Sequence, residues 1–194
     1  MDRGTQVGNY VTWKMEQLLH TGNESAQKAA LANLRHGLGR VPGELPELWG
    51  AFLQDLPEEL YGTSAGASRE EWAVYLALTL FALHQQGKNP NTSPVHQKGQ
   101  GLGKAMQMLI LTPDDESRVR RRFNVLATSA DIQEMSTHLR SVIQLLRRES
   151  IPLDYGMLAK DIFWYQFPEQ APNVRLAWGR DFYYRKPKEA GKED

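Results

Sequence analysis

Residues 68–84 read SREEWAVYLALTLFALH, and this stretch decides the fold of the chain. Ser68 and Glu71 have the spacing of a capping box, in which two side chains bond reciprocally to two backbone amides at a helix start. Between Trp72 and His84 apolar residues occupy nearly every side of a helix, whereas a surface helix carries a single apolar stripe. The stretch therefore predicts a central helix that other elements surround.

Helical patterns continue toward the N-terminus. Helices are predicted over residues 7–19 and 25–36, with Gly22 and Gly37 ending them. Residues 38–66 contain five glycines and three prolines, which predict short turns rather than a long helix. After the central helix, residues 87–101 are rich in turn-forming residues and predict a long loop, and such loops are usually functional or disordered.

The second half of the chain predicts further helices. Thr112 as N-cap and Pro113 as first helical residue begin a helix that runs to about Ala127, and Thr128 or Ser129 is expected to cap the next one. That next helix carries an apolar stripe with i, i+3, i+4, i+7 spacing. The members of the stripe are Ile132, Met135, Leu139, Val142, Ile143 and Leu146.

Two helices are predicted near the C-terminus. Asp154 is expected to open a helix that ends near Phe167. Residues 174–184 fit a helix by one spacing and a strand by another, and we choose the helix.

Taken together, these patterns predict an all-α protein of about eight to nine helices in two packed lobes. The N-terminal lobe is expected over residues 1–111 and includes the long loop at 87–101. The C-terminal lobe is expected over residues 112–184, and residues 185–194 are expected to form a disordered charged tail.

Composition excludes several kinds of chemistry. The 194 residues include no Cys, which excludes disulfides, Cys-ligated zinc, iron–sulfur clusters and cysteine nucleophiles. The first twenty residues lack the apolar core of an export signal, and the longest apolar stretch, residues 73–83, is too short to span a bilayer. We therefore expect a cytoplasmic protein without a membrane partner.

No catalytic or cofactor motif is apparent. The glycines before Lys104 resemble a phosphate-binding loop, but Lys98 and Ala105 stand where the Walker motif requires Gly and Ser or Thr. Residues 114–116 are three acids, which the dipole of a helix N-terminus explains. We predict no catalytic residue, no metal, no cofactor and no small-molecule substrate.

Charge is balanced overall but not locally. Twenty-three Lys and Arg residues match 23 Asp and Glu residues. The net charge is −4 over residues 1–87, +5 over residues 88–148 and −1 over residues 149–194. Such segregation suits a protein that turns one face toward a polyanion and another toward protein.

The basic residues of the helix predicted from residue 112 have a defined placement. If Val119 faces the core, Arg118, Arg121 and Arg122 share one flank, and Arg120 lies on the other.

The following helix and the loop supply more cations. Arg140 and Arg147 have no Asp or Glu three or four positions away, so local salt bridges do not neutralise them. We expect two adjacent antiparallel helices to join the arginines into one patch, which Lys98 and Lys104 extend into a track for phosphates. An ordinary solvated helix face and a helix-turn-helix remain alternatives, although the second helix is long for a recognition helix.

Eight short motifs occur in an order that resembles one protein family. They are GKN (87–89), HQKG (96–99), GLGKA (101–105), VRRRF (119–123), HLR (138–140), LLR (145–147), IPLDY (151–155) and WGRDFY (178–183). The chain resembles the CasB family, the small subunit of the type I-E CRISPR effector complex called Cascade. The resemblance covers residues 68–184 and, more loosely, the N-terminal third.

This resemblance implies an all-helical, non-catalytic subunit of an antiviral complex, while a separate recruited nuclease cuts the target. Two copies of it are expected to lie head to tail against the backbone subunits that coat the guide RNA, with the large subunit as a further partner. Its role would be to stabilise the R-loop of guide RNA and target DNA and the displaced strand. Gln97 departs from the family, because a basic side chain is expected there.

The family's phosphate contacts can be carried over to this sequence. They fall on Lys98, Lys104, Arg121, Arg122, Arg140 and Arg147, with Arg35 as a weaker candidate. Together with Arg118 and Arg120 these residues form the expected nucleic-acid interface. Two rival interpretations are a helical interaction scaffold or regulator without nucleic-acid binding, and an enzyme whose acids and histidines are dispersed in the sequence.

Overall fold

The computed structural model describes residues 1–20 and 23–184, and in this part of the chain the regular structure consists of helices and two short 3₁₀ turns. The helices are α1 (Arg3–His20), α2 (Glu24–His36), α3 (Trp49–Phe52), α4 (Arg69–Gln85), α5 (Leu102–Gln107), α6 (Asp115–Ala127), α7 (Ile132–Arg148), α8 (Tyr155–Tyr165) and α9 (Ala171–Tyr183). The 3₁₀ turns are Pro46–Leu48 and Glu58–Leu60. The predicted all-α class is confirmed. Gly22 and the predicted tail lie outside the described residues.

Helix α4 is the predicted central helix. The Ser68 hydroxyl accepts a hydrogen bond from the Glu71 amide at 3.1 Å, and the Glu71 carboxylate accepts one from the Ser68 amide at 2.7 Å. These bonds form the predicted capping box. Every residue from 73 to 85 is at most 5% exposed. Helices α1, α2, α3, α7 and α8 all pack against α4, so its apolar surface is covered on every side.

The predicted starts of α6 and α7 are wrong, and α1 and α9 begin at Arg3 and Ala171, about one turn before the predicted residues 7 and 174. Helix α7 is capped by Asp131, whose carboxylate accepts hydrogen bonds from two amides of the first turn at 2.9 and 2.8 Å. Thr128 and Ser129 instead donate their hydroxyls to carbonyls of the last turn of α6, so they end that helix. Helix α6 begins only at Asp115, whose carboxylate accepts two hydrogen bonds from Thr112.

Helix α5 was absent from the predicted elements because two glycines flank its first residue. Gly103 serves close packing here rather than a turn, since a Cβ on this residue would lie 2.2 Å from the Trp178 carbonyl oxygen of α9. For residues 174–184 the helical alternative is right, because α9 buries Val174, Trp178 and Phe182 at helical spacing.

Helices of both predicted lobes pack against one another. Helix α1 packs on α8, α4 packs on α7 and α8, and α5 packs on α9. Contacts therefore cross the boundary expected at residue 111, and the division into lobes stays a prediction.

The contact between α1 and α8 depends on two glycines. A Cβ on Gly8 would lie 2.6 Å from the Gly156 carbonyl oxygen, and a Cβ on Gly156 would lie 2.4 Å from the Thr12 hydroxyl. Real side chains do not approach backbone this closely, so the two helices meet backbone to backbone.

We predict that Gly8→Ala lowers the free energy of unfolding by about 1 to 3 kcal/mol, because the added methyl group forces the two helices apart. Urea denaturation followed by circular dichroism measures the change. Gly179→Ala is the matched control, since Gly179 is also helical but a Cβ there meets no atom within 4 Å. In the control, the free energy of unfolding should stay unchanged or rise by up to about 1 kcal/mol. Equal stability of the two variants would show that the helices do not touch.

Candidate nucleic-acid interface

Three arginines of α6 line a groove between α6 and α7. Helix α6 buries Val119 and Phe123 against the core, and this orientation turns Arg118, Arg121 and Arg122 toward the groove. The groove has a volume of about 570 Å³, and α7 contributes its other wall through His138, Ser141 and Val142. We call Arg118, Arg121 and Arg122 the groove arginines.

The arginines of α6 differ in their ion pairs. Arg118 pairs with Asp115, and Arg120, on the other flank as predicted, lies 3.9 Å from Glu116. Among the described residues, no carboxylate lies within 4.0 Å of Arg121 or Arg122. Both side chains are exposed. Their charge is therefore available to an anion from outside the chain.

Arg140 and Arg147 of α7 lie close to residues just beyond the ends of α2 and α4. The Arg140 guanidinium lies near Gly39, where a Cβ would be 3.6 Å from Arg140 Nη1. Arg147 donates a hydrogen bond to the side chain of Gln86 at 2.9 Å. Arg35 of α2 is half-buried, and burial together with the positive charge of Arg147 lowers the pKa of Arg35. The structure thus places Arg35 close enough to Arg147 for their charges to interact.

Lys88 joins this group and was not among the predicted site residues. Its Nζ donates to the Ser150 hydroxyl at 2.7 Å, just beyond the end of α7. Burial lowers the pKa of His84 to about 4, and the charges of Lys88 and Arg147 add to this effect. We call Arg35, Lys88, Arg140 and Arg147 the Arg147 cluster. In the sequence, Lys88 lies in the GKN motif just after the central helix, which is the signal that could have included it.

The two groups lie on different flanks of α7. Arg140 and Arg147 are two turns apart and lie about 180° around the helix axis from His138, which faces the groove. The solvent-exposed side of α7, with Thr137 and Gln144, separates them. The expected single patch therefore consists of two basic strips, one on each side of this helix.

Lys98 and Lys104 line two other grooves. Lys98 is exposed beside Asp154 and Lys160, in a groove of about 660 Å³ between α1 and α8. Lys104 is exposed beside Glu116 and Asp181, in a groove of about 770 Å³. Neither lysine extends the arginine strips by contact, and acidic side chains accompany both.

The long loop that carries Lys98 is held by α8. The Gly99 amide donates to the Asp154 carboxylate at 2.7 Å, and the Asp154 amide donates to the Gln100 carbonyl at 2.7 Å. The Tyr155 amide donates to His96 Nδ1 at 3.1 Å, and burial lowers the pKa of His96. Asp154 also caps α8 by accepting from the Met157 amide at 3.0 Å. The Asp154 carboxylate thus caps a helix and, together with the backbone hydrogen bonds of Val95 and Gln97 to Leu153, holds the loop.

A half-buried acid lies between α8 and α9. Asp161 of α8 accepts a hydrogen bond from Trp178 Nε1 at 2.7 Å. Burial raises the pKa of Asp161 to about 6, although the bond from Trp178 opposes the rise.

The described residues contain no group of three or more His, Asp or Glu side chains placed to hold a metal ion. In the same part of the chain, no helix has the length and apolar character needed to cross a membrane.

Comparison with known proteins identifies the family. Residues 30–183 match the family model described as CRISPR-associated protein Cse2. The structure resembles the crystal structure of CasB from Thermobifida fusca, with a TM-score of 0.77 and 32% identity over 92% of this chain and 98% of that chain. CasB from Thermus thermophilus shares the fold, with a TM-score of 0.65 and 24% identity over 94% of this chain and 99% of that chain. A search among curated proteins gave no match.

The helical fold and the family match place the chain among CRISPR-associated proteins. Because the match covers well over half of the residues, the chain belongs to the Cse2 family, whose members are also called CasB. The sequence-based resemblance to CasB is confirmed. Membership implies a small subunit of the CRISPR Cascade complex.

We predict that Asp154→Ala lowers the free energy of unfolding by about 2 to 4 kcal/mol, because a helix cap and a charged hydrogen bond are lost together. Amide hydrogen exchange at Gly99 and its neighbours should become faster. Asp131→Ala is the control: it removes the cap of α7 and should leave exchange in the loop unchanged. Slow exchange at Gly99 in Asp154→Ala would show that other contacts hold the loop.

We predict that Asp161→Asn is more stable than the wild type at pH 7 by about 1 to 3 kcal/mol. The folded-state pKa is raised from 3.8 to about 6, so ionisation of Asp161 above pH 6 costs stability that Asn does not lose. Below pH 6 the wild-type carboxyl takes up a proton in the folded state, and the difference should shrink toward pH 4. Urea denaturation between pH 4 and pH 8 measures it. A constant difference would contradict a titrating Asp161.

Proposed function

We propose that this chain is the non-catalytic small subunit of a cytoplasmic type I-E Cascade complex in antiviral defence, and that it binds nucleic-acid backbone. Its bound strands would be the guide RNA and target DNA of the R-loop and the displaced DNA strand. The observation that carries the proposal is that basic residues lie on both flanks of α7 and that three of them, Arg121, Arg122 and Arg140, are exposed and have no carboxylate partner among the described residues.

Like charges gathered on one surface repel one another, and a phosphate backbone relieves that repulsion. Binding to the phosphate backbone does not depend on the base sequence. It therefore suits a subunit that holds a strand separated when the guide RNA pairs with its target. R-loop formation is nearly balanced in free energy, so a few phosphate contacts are enough to shift it.

The proposed contacts differ in expected strength. Arg121, Arg122 and Arg140 are exposed and have no carboxylate partner in the described part of the chain, so they should contribute most. Arg118 and Arg120 already form ion pairs, which reduces the charge that they offer. The remaining proposed contacts are Arg35, Lys98, Lys104 and Arg147, with Lys88 added from the structure.

Partners are proposed from the family and from the charge distribution. The backbone subunits on the guide RNA, the large subunit and a second copy of this chain are the proposed protein partners. A net charge of −4 over residues 1–87 suits protein contacts, because it repels nucleic acid from that part of the surface. Overall neutrality would also limit binding to unrelated nucleic acid before assembly.

We predict that the purified chain binds DNA with a log–log salt slope of about −3 to −5, which corresponds to about four to six phosphates. Fluorescence anisotropy with single- and double-stranded DNA at several salt concentrations measures the slope. Arg121→Glu with Arg140→Glu changes one residue in each strip and should weaken binding about tenfold or more, with a shallower slope. The circular dichroism spectrum should stay helical, because both side chains are exposed.

The control is Lys28→Glu with Arg180→Glu, two exposed positions outside the strips. It makes the same change in net charge, so an equal loss of affinity would show that total charge rather than placement matters. Unchanged affinity in the strip variant would refute the proposed interface. If the free chain does not bind DNA, the same variants are compared for R-loop formation by the assembled complex, where equal activity would favour a scaffold.

A further inference from the structure

Arg69 and Arg175 lie at a pocket that the proposed nucleic-acid interface does not include. The pocket has a volume of about 460 Å³ and lies where the start of α4, the start of α7, the end of α8 and α9 meet. Ile132, Pro168 and Ala171 give it apolar walls. The two arginines are brought together from positions more than one hundred residues apart in the sequence.

Both guanidinium groups are held by aromatic side chains. Arg175 donates from Nη2 and Nε to the Tyr165 hydroxyl at 2.9 and 3.3 Å. Tyr165 is itself 7% exposed, and its hydroxyl lies 2.9 Å from the Ser129 carbonyl oxygen, so it is a fixed acceptor. Arg69 lies over the ring of Phe167, with its Cζ 4.3 Å from the ring centre. Little conformational freedom remains to be lost on binding.

No carboxylate among the described residues lies within 4.0 Å of either guanidinium. Two acids near the pocket have other partners. Glu70 forms an ion pair with Arg3 at 2.9 Å, and Asp131 accepts hydrogen bonds from two backbone amides of α7. An arginine has five N–H donors, and Arg175 uses two of them on Tyr165. The pocket therefore offers guanidinium donors that the chain itself does not satisfy.

The charge around the pocket favours one carboxylate over a polyanion. Three acids lie in or beside the pocket. Asp131 lines it, and Glu134 accepts a hydrogen bond from the amide of the lining residue Ala130 at 2.6 Å. The exposed Glu169 follows the lining residue Pro168. These acids would repel a chain of phosphates. A single Asp or Glu side chain, surrounded by neutral residues of a protein, can enter the apolar-walled pocket and pair with the two guanidiniums.

We propose that Arg69 and Arg175 form a docking site for one carboxylate side chain of a protein partner within Cascade. This site is separate from the two basic strips beside α7 and goes beyond the proposed nucleic-acid binding. The planar geometry of the guanidinium matters, because an arginine can bind a carboxylate through two parallel hydrogen bonds and a lysine cannot.

The test is assembly in competition. Tagged wild-type chain and untagged variant are mixed with the other Cascade subunits, and the ratio of the two chains in the purified complex is measured by mass spectrometry. Arg69→Gln and Arg175→Lys should each lower incorporation, and the double variant should lower it about tenfold or more. Arg180→Gln, an exposed change on the same helix α9, is the matched control and should compete like the wild type.

Two further measurements separate the possible outcomes. The DNA affinity of the free double variant should equal that of the wild type; a lower affinity with normal assembly would mean that the pocket binds phosphate and would refute the proposal. Normal assembly with normal DNA affinity would refute it as well. Arg69→Gln keeps the assembly test valid if the double variant unfolds, because the exposed Arg69 side chain forms no ion pair with the described residues. Failure of the wild type to bind DNA would affect only the proposed interface, since incorporation is still measurable.

Discussion

The burial of α4 is the constraint on which the rest of the structure depends. A helix that is apolar on nearly every side is stable in water only if other elements cover it, and five helices do so. Both ends of this helix then lie beside basic residues at the surface. Its first residue, Arg69, lies at the pocket that it shares with Arg175, and Lys88 and Arg147 lie just beyond its last turn. The core thus determines which cations become neighbours.

The same packing explains the behaviour of the buried titratable groups. His84 lies in the last turn of α4, 0% exposed, with Nδ1 2.9 Å from the Tyr155 hydroxyl. Its low pKa lowers the stability of the folded state as the pH falls from about 6.5 toward 4, because the unfolded chain then binds a proton that the folded chain does not. The raised pKa of Asp161 acts in the opposite direction over part of the same range. Between about pH 4 and pH 6 the contributions of His84 and Asp161 therefore partly cancel.

Much of the fold could be predicted from local sequence, because local rules decide those elements. The capping box at Ser68 and the apolar stripe of α7 depend only on residues within a few turns. The Asp131 cap of α7 and the start of α6 at Asp115 do not follow from the sequence pattern, because several polar residues near each helix start have similar capping preferences. Helix α5 was missed because a glycine such as Gly103 signals a turn as readily as a close helix contact.

The candidate site shows the same division between local and tertiary information. The shared flank of Arg121 and Arg122 follows from helix geometry, but the proximity of Arg35 to Arg147 depends on how α2, α4 and α7 pack. Lys98 lies on a loop whose length alone suggests mobility, yet Asp154 holds that loop at the start of α8. The proposed phosphate contacts therefore lie on helices or on a tethered loop. A ligand that meets such a surface loses little free energy to ordering it, so a modest number of cations can hold a strand.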